Sequence, residues 1–333
     1  YRVPRICFIN KMDKLGADFE FAFKSIKTRL GVKPIAVQLP IGASDTFEGI
    51  VDLLTMKAYY FDEGDLGAIV TEKEIPDDMK EAAELYRHEM IENAVELDDS
   101  LMEKYLEDES SITPEEIRAA LRKGTIAREC YPTFCGSALK YVGVQRILDG
   151  VVDYLPNPTQ VPAVEGVDPR DTETKLSRPH NLEAPFSALV FKVVSDSHGD
   201  LTYMRVYSGV LEKGARVLNP VNNKREIVSR IFEMHAKDRQ ALESAGAGQI
   251  VAVIGPKNST TGDTLCSNDD PIVLERMDFP EPVISMSIEP NTAEDKKKLG
   301  EALTTIRRED PSFRSNYNDE TGETIIAGMG ELH

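Results

Sequence analysis

The chain is short of several things, and each shortage closes off a class of protein. Four cysteines, Cys7, Cys130, Cys135 and Cys266, are too few and too scattered over 333 residues for a disulfide framework, and no CxxC pair offers half of a zinc site. Cys130 and Cys135 flank an expected strand and read as buried thiols. Five histidines, His88, His180, His198, His235 and His333, show no metal-ligand spacing, so no metal site and no catalytic role is assigned to them. No apolar run approaches the roughly 18 residues that a membrane helix needs, and the first residues lack the charged-then-apolar layout of a secretory signal. Basic residues are in deficit as well: 39 against 57 acidic ones leave a net charge of −18, which argues against indiscriminate nucleic-acid binding by the chain as a whole. The expectation is a cytoplasmic protein without membrane contact, in which any contact with RNA uses a local patch.

What is present is enough apolar residue, 41%, to fill cores in two or three domains of roughly 100 to 200 residues each. Both ends look cut. Tyr1 stands directly before an apolar strand without an initiating methionine, and GMGELH at the other end is followed by no closing element.

The opening RICFIN reads as a short buried strand with Asn10 at its carboxyl end, the end at which α/β sheets bind ligands. Phe19, Phe23, Ile26 and Leu30 then recur at helical spacing, with Gly31 as the C-terminal cap, and residues 33–39 look like the next strand. From about 41 to 124 the texture turns acidic and helix-rich, which reads as an insertion. Met79, Ala82, Tyr86, Met90 and Ala94 form one helical stripe. Thr113, Pro114 and Glu116 make a capping box for another helix, with Ile117 and Leu121 inward and Gly124 at its end. The sheet resumes at 132–134, and Val144, Ile147, Leu148, Val151, Val152 and Leu155 pattern a helix stopped by Pro156 and Pro158.

Residues 157–185 are rich in proline, aspartate and threonine with little periodicity and read as a linker. Closely spaced short strands and glycine turns follow to about 273, the signature of a small β-barrel. From about 281 the order is β-α-β-β, with Ile284, Met286 and Ile288 alternating as a strand with one buried face; this is the first part of a ferredoxin-like α+β fold.

The sharpest chemical signal is NKMD, residues 10–13, directly after a buried strand. A carboxylate at Asp13 accepts from the N1 and N2 donors of guanine, whereas adenine has no N2 amine and presents an acceptor at N1. Asn10 ties neighbouring loops together through its amide, and the aliphatic stem of Lys11 lies along the purine face. Three specified residues are a weak motif alone, and its bland counterpart is a solvated strand-to-helix turn. A second element, Ser137, Ala138, Leu139 and Lys140, again follows a strand and precedes a helix, and its small residues let backbone N–H groups approach guanine O6.

Residues 10–13 resemble the NKxD element of GTPases, and residues 137–140 resemble their SAK element in the form SALK. Longer stretches, QLPIG, GSALK, VVDYLP, RVYSG, TGDTL, EPVISMSIEP and IIAGMGELH, are similar to the elongation factor G family of translational GTPases, in the same order over nearly the whole chain. The resemblance implies a multidomain protein. Residues 1–158 would be the C-terminal part of a P-loop GTPase-type α/β domain with a helical insertion at about 41–124. A linker at 159–181, a β-barrel at 182–276 and a truncated ferredoxin-like domain at 281–333 would follow. It also implies GTP or GDP as ligand, read by Asn10, Lys11, Asp13, Ser137, Ala138 and Leu139, with Mg²⁺ held by residues outside these 333. The implied partners are the ribosome and, indirectly, the tRNA–mRNA complex, and the implied state is a monomer.

The departures matter equally. No GxxxxGK[ST] occurs, and the family's switch regions and water-orienting histidine are missing, so no residue present is expected to perform phosphoryl transfer. Another translational GTPase with different distal domains, or a non-catalytic ribosome-binding relative, stays open at this point. Lys224, Arg225, Arg230, Lys237 and Arg239 form a basic cluster that suits either ribosomal RNA or a merely solvated surface. GMG at 328–330 reads as a tight turn rather than a phosphate site.

Overall fold

The computed structural model describes residues 3–62, 64, 66–196, 199–236, 238–274, 279–290, 292–319 and 321–330. They fall into two compact units, Tyr1–Pro156 and Asn157–His333, with mixed α/β and all-β parts.

In the first unit, β1 (Cys7–Ile9) leads through a loop to α1 (Phe19–Leu30). Gly31 closes α1 at φ 64°, as expected from the sequence, and the structure adds an N-cap in Asp18, which accepts from the Phe21 N–H at 2.9 Å. β2 (Pro34–Ala36) is buried at every position.

The insertion departs from the helical expectation. β3 (Gln38–Ile41), β4 (Gly49–Asp52), β5 (Lys57–Phe61) and β6 (Val70–Lys73) form a four-stranded antiparallel meander before any α-helix of the insertion begins. Ile50 and Val51 are both buried, as are Ala58 and Tyr59, so neighbouring positions face apolar surroundings and the sequence shows no alternation. The helices α2 (Lys80–Leu97), α3 (Met102–Glu107) and α4 (Pro114–Ala127) come after the meander. Ala83, rather than Ala82, joins Met90 and Ala94 on the buried face of α2. The capping box of α4 is formed: Thr113 Oγ1 accepts from the Glu116 N–H at 3.3 Å, and Glu116 Oε2 accepts from the Thr113 N–H at 3.0 Å. The helix does not stop at Gly124. Arg128 takes the left-handed cap at φ 67°, and Gly124 sits inside the helix, where a Cβ would lie 2.7 Å from Leu97 and 2.9 Å from the Cys130 sulfur.

β7 (Tyr131–Cys135) runs parallel to β1 and to β2, in the order β1-β7-β2, with Ile9 opposite Cys135. α5 (Val144–Tyr154) seats Gly150 and Tyr154 against Phe134. The apolar stripe read from the sequence is therefore only partly inward. Leu148, Val151 and Val152 are exposed, because the face that approaches the Phe134 ring is the one that carries glycine. One core joins the sheet, the meander and the helices, from Met12 and Ile35 through Ile50 and Leu53 to Ile117 and Tyr154.

The second unit opens on a correction to the linker. Val164–Asp168 and Asp171–Arg178 form an antiparallel hairpin that Val273–Leu274 extends to three strands. Most of the second strand is exposed, so its sequence is polar apart from Leu176 and carries no period. Eight antiparallel strands then pair in the order Lys224–Ile227, Arg216–Asn219, Thr264–Cys266, Ser187–Asp196, Gly199–Ser208, Ile250–Ile254, Arg230–His235 and Asp238–Leu242. Val190, Met204, Val217, Ile231, Val251 and Leu265 of these strands meet in one core, which a flat sheet of eight strands cannot do, so the sheet is rolled on itself. Last, Ile284–Ile288, the helix Ala293–Glu309, Arg314–Asn318 and Glu323–Gly328 give a sheet in which the third strand lies between the first and the second, antiparallel to both. That is the ferredoxin-like β-α-β-β arrangement. Its first strand does not have the expected buried face: Ile284 is 41% and Met286 51% exposed, since among the described residues of this part a single helix covers the sheet.

Candidate functional site

Because β1 and β7 are parallel neighbours, the segments that leave their carboxyl ends emerge side by side, although 124 residues separate Asp13 from Ser137. The backbones bond first: the Gly136 N–H donates to Ile9 O at 3.0 Å, and the Met12 N–H donates to Gly136 O at 3.1 Å. Met12 itself is 1% exposed and anchors the loop in the core. Lys11 takes a left-handed conformation, φ 65°, and the Lys14 N–H closes a turn onto Lys11 O at 3.0 Å.

Side chains complete the junction. Ser137 Oγ donates to Asp13 Oδ1 at 2.7 Å, and Asn10 Oδ1 accepts from the Lys11 N–H at 2.8 Å and from the Ala138 N–H at 2.9 Å. Asp13 Oδ2 faces Lys14 Nζ at 3.2 Å, and the Asp13 side chain is 2% exposed. The Ser137 hydroxyl, with a smaller contribution from Lys14, holds the Asp13 carboxyl below the usual carboxylate range despite its burial. Ser137 meets one carboxylate oxygen and Lys14 the other, and the two oxygens keep acceptor positions beyond these two donors.

The six residues singled out from the sequence come together, with a difference in how the second loop is used. The Ala138 N–H is taken by Asn10, and Lys140 N–H reaches Ser137 Oγ at 3.4 Å. The Leu139 N–H makes no hydrogen bond among the described residues, and the Leu139 side chain is 75% exposed. Among the described residues, the donors left at this junction include the Leu139 N–H and the Asn10 amide nitrogen. Ser137 is tied back by reciprocal backbone bonds with Val142, each at 3.0 Å, which fix the loop at the entrance to α5. Sequence reading missed Ser44, whose N–H donates to Met12 O at 2.8 Å and whose hydroxyl donates to Lys14 O at 3.0 Å. No motif marks it; the only local signal is the turn glycine Gly42 before it.

Other candidates gather less. Lys224 and Arg225 lie on one end strand of the eight-stranded order, Arg239 on the other, with Arg230 on its neighbour, and Lys237 lies outside the described residues. His88 Nδ1 sits 2.8 Å from Glu109 and His180 lies between two backbone carbonyls, while His198 and His333 lie outside the described residues. No group of three or more His, Cys, Asp or Glu side chains among the described residues is arranged to hold a metal ion. No described helix is long and apolar enough to cross a membrane. Gly328 ends its strand and Met329 and Gly330 bend away, whereas Glu331 and Leu332 lie outside the described residues.

Comparison with known proteins places family models along the chain in order: an elongation factor Tu GTP binding domain over residues 1–157, elongation factor G domain 2 over 185–268, and elongation factor G domain III over 279–333. An elongation factor G from Salinibacter ruber is 49% identical over 334 residues, covering 100% of this chain and 47% of that protein. A crystal structure of a Thermus thermophilus protein matches with a TM-score of 0.79 at 28% identity, over 99% of this chain and 46% of the other. The chain thus spans about half the length of the relatives it matches.

Proposed function

The chain belongs to the elongation factor G family, and from that premise we propose that it is the guanine-reading part of a ribosome-dependent GTPase that drives tRNA and mRNA through the ribosome during elongation. The observation that carries the reading is the junction of two distant loops at one sheet edge, with the Asp13 carboxylate ionised, 2% exposed and fixed by Ser137. The donor set fits a guanine base. Asp13 accepts from N1 and N2, Leu139 N–H and the Asn10 amide donate toward O6, and the Lys11 stem covers one face.

The residues present do not include a set that fits the phosphates or Mg²⁺, since the sequence has no GxxxxGK[ST]. Bound GTP would supply the transferable phosphoryl group, and what this chain contributes is selection and orientation of the base. Residues 1–333 alone are proposed to hydrolyse no GTP. In the complete protein, cytoplasmic and acting on the ribosome, hydrolysis would change the order of switch segments that contact the barrel.

The test is GTP turnover by the complete protein with and without ribosomes, together with the movement of a fluorescently labelled mRNA on those ribosomes. Strong stimulation accompanied by mRNA movement is expected. Turnover indifferent to ribosomes, or turnover without movement, would contradict the translocase reading.

A further inference from the structure

We propose that Ser44, in the first loop of the insertion, is a positioning residue for the guanine site, an inference that rests on the guanine reading above. Its two donors do not land at random on the base-reading loop. The N–H takes the carbonyl of Met12 at 2.8 Å and the hydroxyl takes the carbonyl of Lys14 at 3.0 Å, the residues immediately before and after Asp13. Asp13 is thereby bracketed through its own backbone. A carboxylate that must meet two donors of a planar base at once depends on that backbone being still.

The bracket is itself rigid. Gly42, at φ 76°, turns so tightly that a Cβ would lie 2.1 Å from Thr46 O. Thr46 Oγ1 accepts from the Ala43 N–H at 3.1 Å and donates to Ala43 O at 2.8 Å, and Phe47, 7% exposed, pins the far side of the loop in the core. Ser44 is held at φ 59°, a left-handed conformation that non-glycine residues rarely adopt. A strained residue whose N–H and hydroxyl both land beside the specificity carboxylate is better explained by what it positions than by the turn it makes. Asp13 is then fixed from two sides, by Ser137 from the loop after β7 and by Ser44 from the insertion.

The bland alternative is an ordinary turn serine, and inosine nucleotides separate the two. Inosine lacks the N2 amine, so the preference for GDP over IDP reports how well Asp13 reaches both donors. In the complete protein, Ser44→Ala, which keeps the backbone cost and removes the hydroxyl, is expected to lower that preference roughly 3- to 10-fold. Ser44→Gly also removes the hydroxyl but relaxes the backbone, so it retains the fold if the alanine variant does not, and it is expected to lower the preference as well. Both are compared by GDP and IDP dissociation with thermal unfolding in parallel, and Asp13→Asn serves as the reference. Loss of preference in variants that melt like the wild type supports the bracket. Equal weakening of GDP and IDP, or no change, while Asp13→Asn still alters base choice, overturns it. If Asp13→Asn leaves base choice intact, the guanine reading itself fails.

Discussion

The Ser137 hydroxyl is the largest of the influences that keep the Asp13 carboxyl below the ordinary range. Ser137 donates at 2.7 Å to a carboxyl that is otherwise withdrawn from water, and the balance of that bond and Lys14 against burial leaves it more acidic than an ordinary aspartate. A group whose folded pKa is depressed stabilises the fold fully above its unfolded value, about 3.9, and that contribution is lost as the pH falls through the lower folded value. The junction is therefore expected to stay intact at neutral pH and to loosen only in acid. Ser137→Ala should move the Asp13 titration upward, as followed by the carboxyl ¹³C shift. A midpoint unchanged from wild type would mean that the hydroxyl does not set the charge. At this scale the sequence was informative where spacing is short and local: the residues of NKMD and SALK are the ones that meet in the structure. Ser44 was invisible, because hydrogen bonds to carbonyls 30 and 32 residues earlier leave no trace in residue type.

At the scale of elements, α5 carries the second loop at its N-terminus and rests on the sheet through Gly150. A Cβ at Gly150 would lie 2.2 Å from the Phe134 ring, inside any contact that packing tolerates. Gly150→Ala gains helix propensity worth about 1 kcal/mol and loses more to overpacking, about 1 to 3 kcal/mol. A net fall in melting temperature of the first unit is expected, with faster release of guanine nucleotide by the complete protein as α5 shifts. A variant as stable as wild type would show that α5 does not sit on Phe134 as described. The end of α1 was legible in Gly31, and the start of α4 in Thr113, Pro114 and Glu116, since caps are local. The end of α4 was not, because Gly124 is glycine for its closeness to Leu97 and Cys130 rather than for a turn. The meander at 38–73 escaped because its strands are short and none alternates, the middle two being mostly buried and the last exposed throughout, and the hairpin at 164–178 escaped because most of its second strand is exposed.

For the whole molecule, the parts read from sequence as α/β, barrel and ferredoxin-like correspond to sheets of three different kinds: parallel, rolled antiparallel, and a split β-α-β-β. Such topology follows from the order of elements. What order alone does not give is that the insertion returns through β7, so that residues 10–13 and 136–140 meet at one edge after more than a hundred intervening residues. The junction is a property of the first unit as a whole, since its two loops meet through the pairing of β1 with β7 and the insertion bonds to the first of them through Ser44. The most direct measurement of that central claim is calorimetric binding of guanosine and xanthosine diphosphates to the complete protein and its Asp13→Asn variant. An asparagine amide donates to the xanthine O2 where the carboxylate could only accept from the guanine amine. The account predicts that GDP binding falls by roughly 10-fold or more while xanthosine diphosphate binding rises, crossing the order of preference. Unchanged preference for GDP in a folded variant would contradict the assignment of Asp13 and, with it, the guanine site.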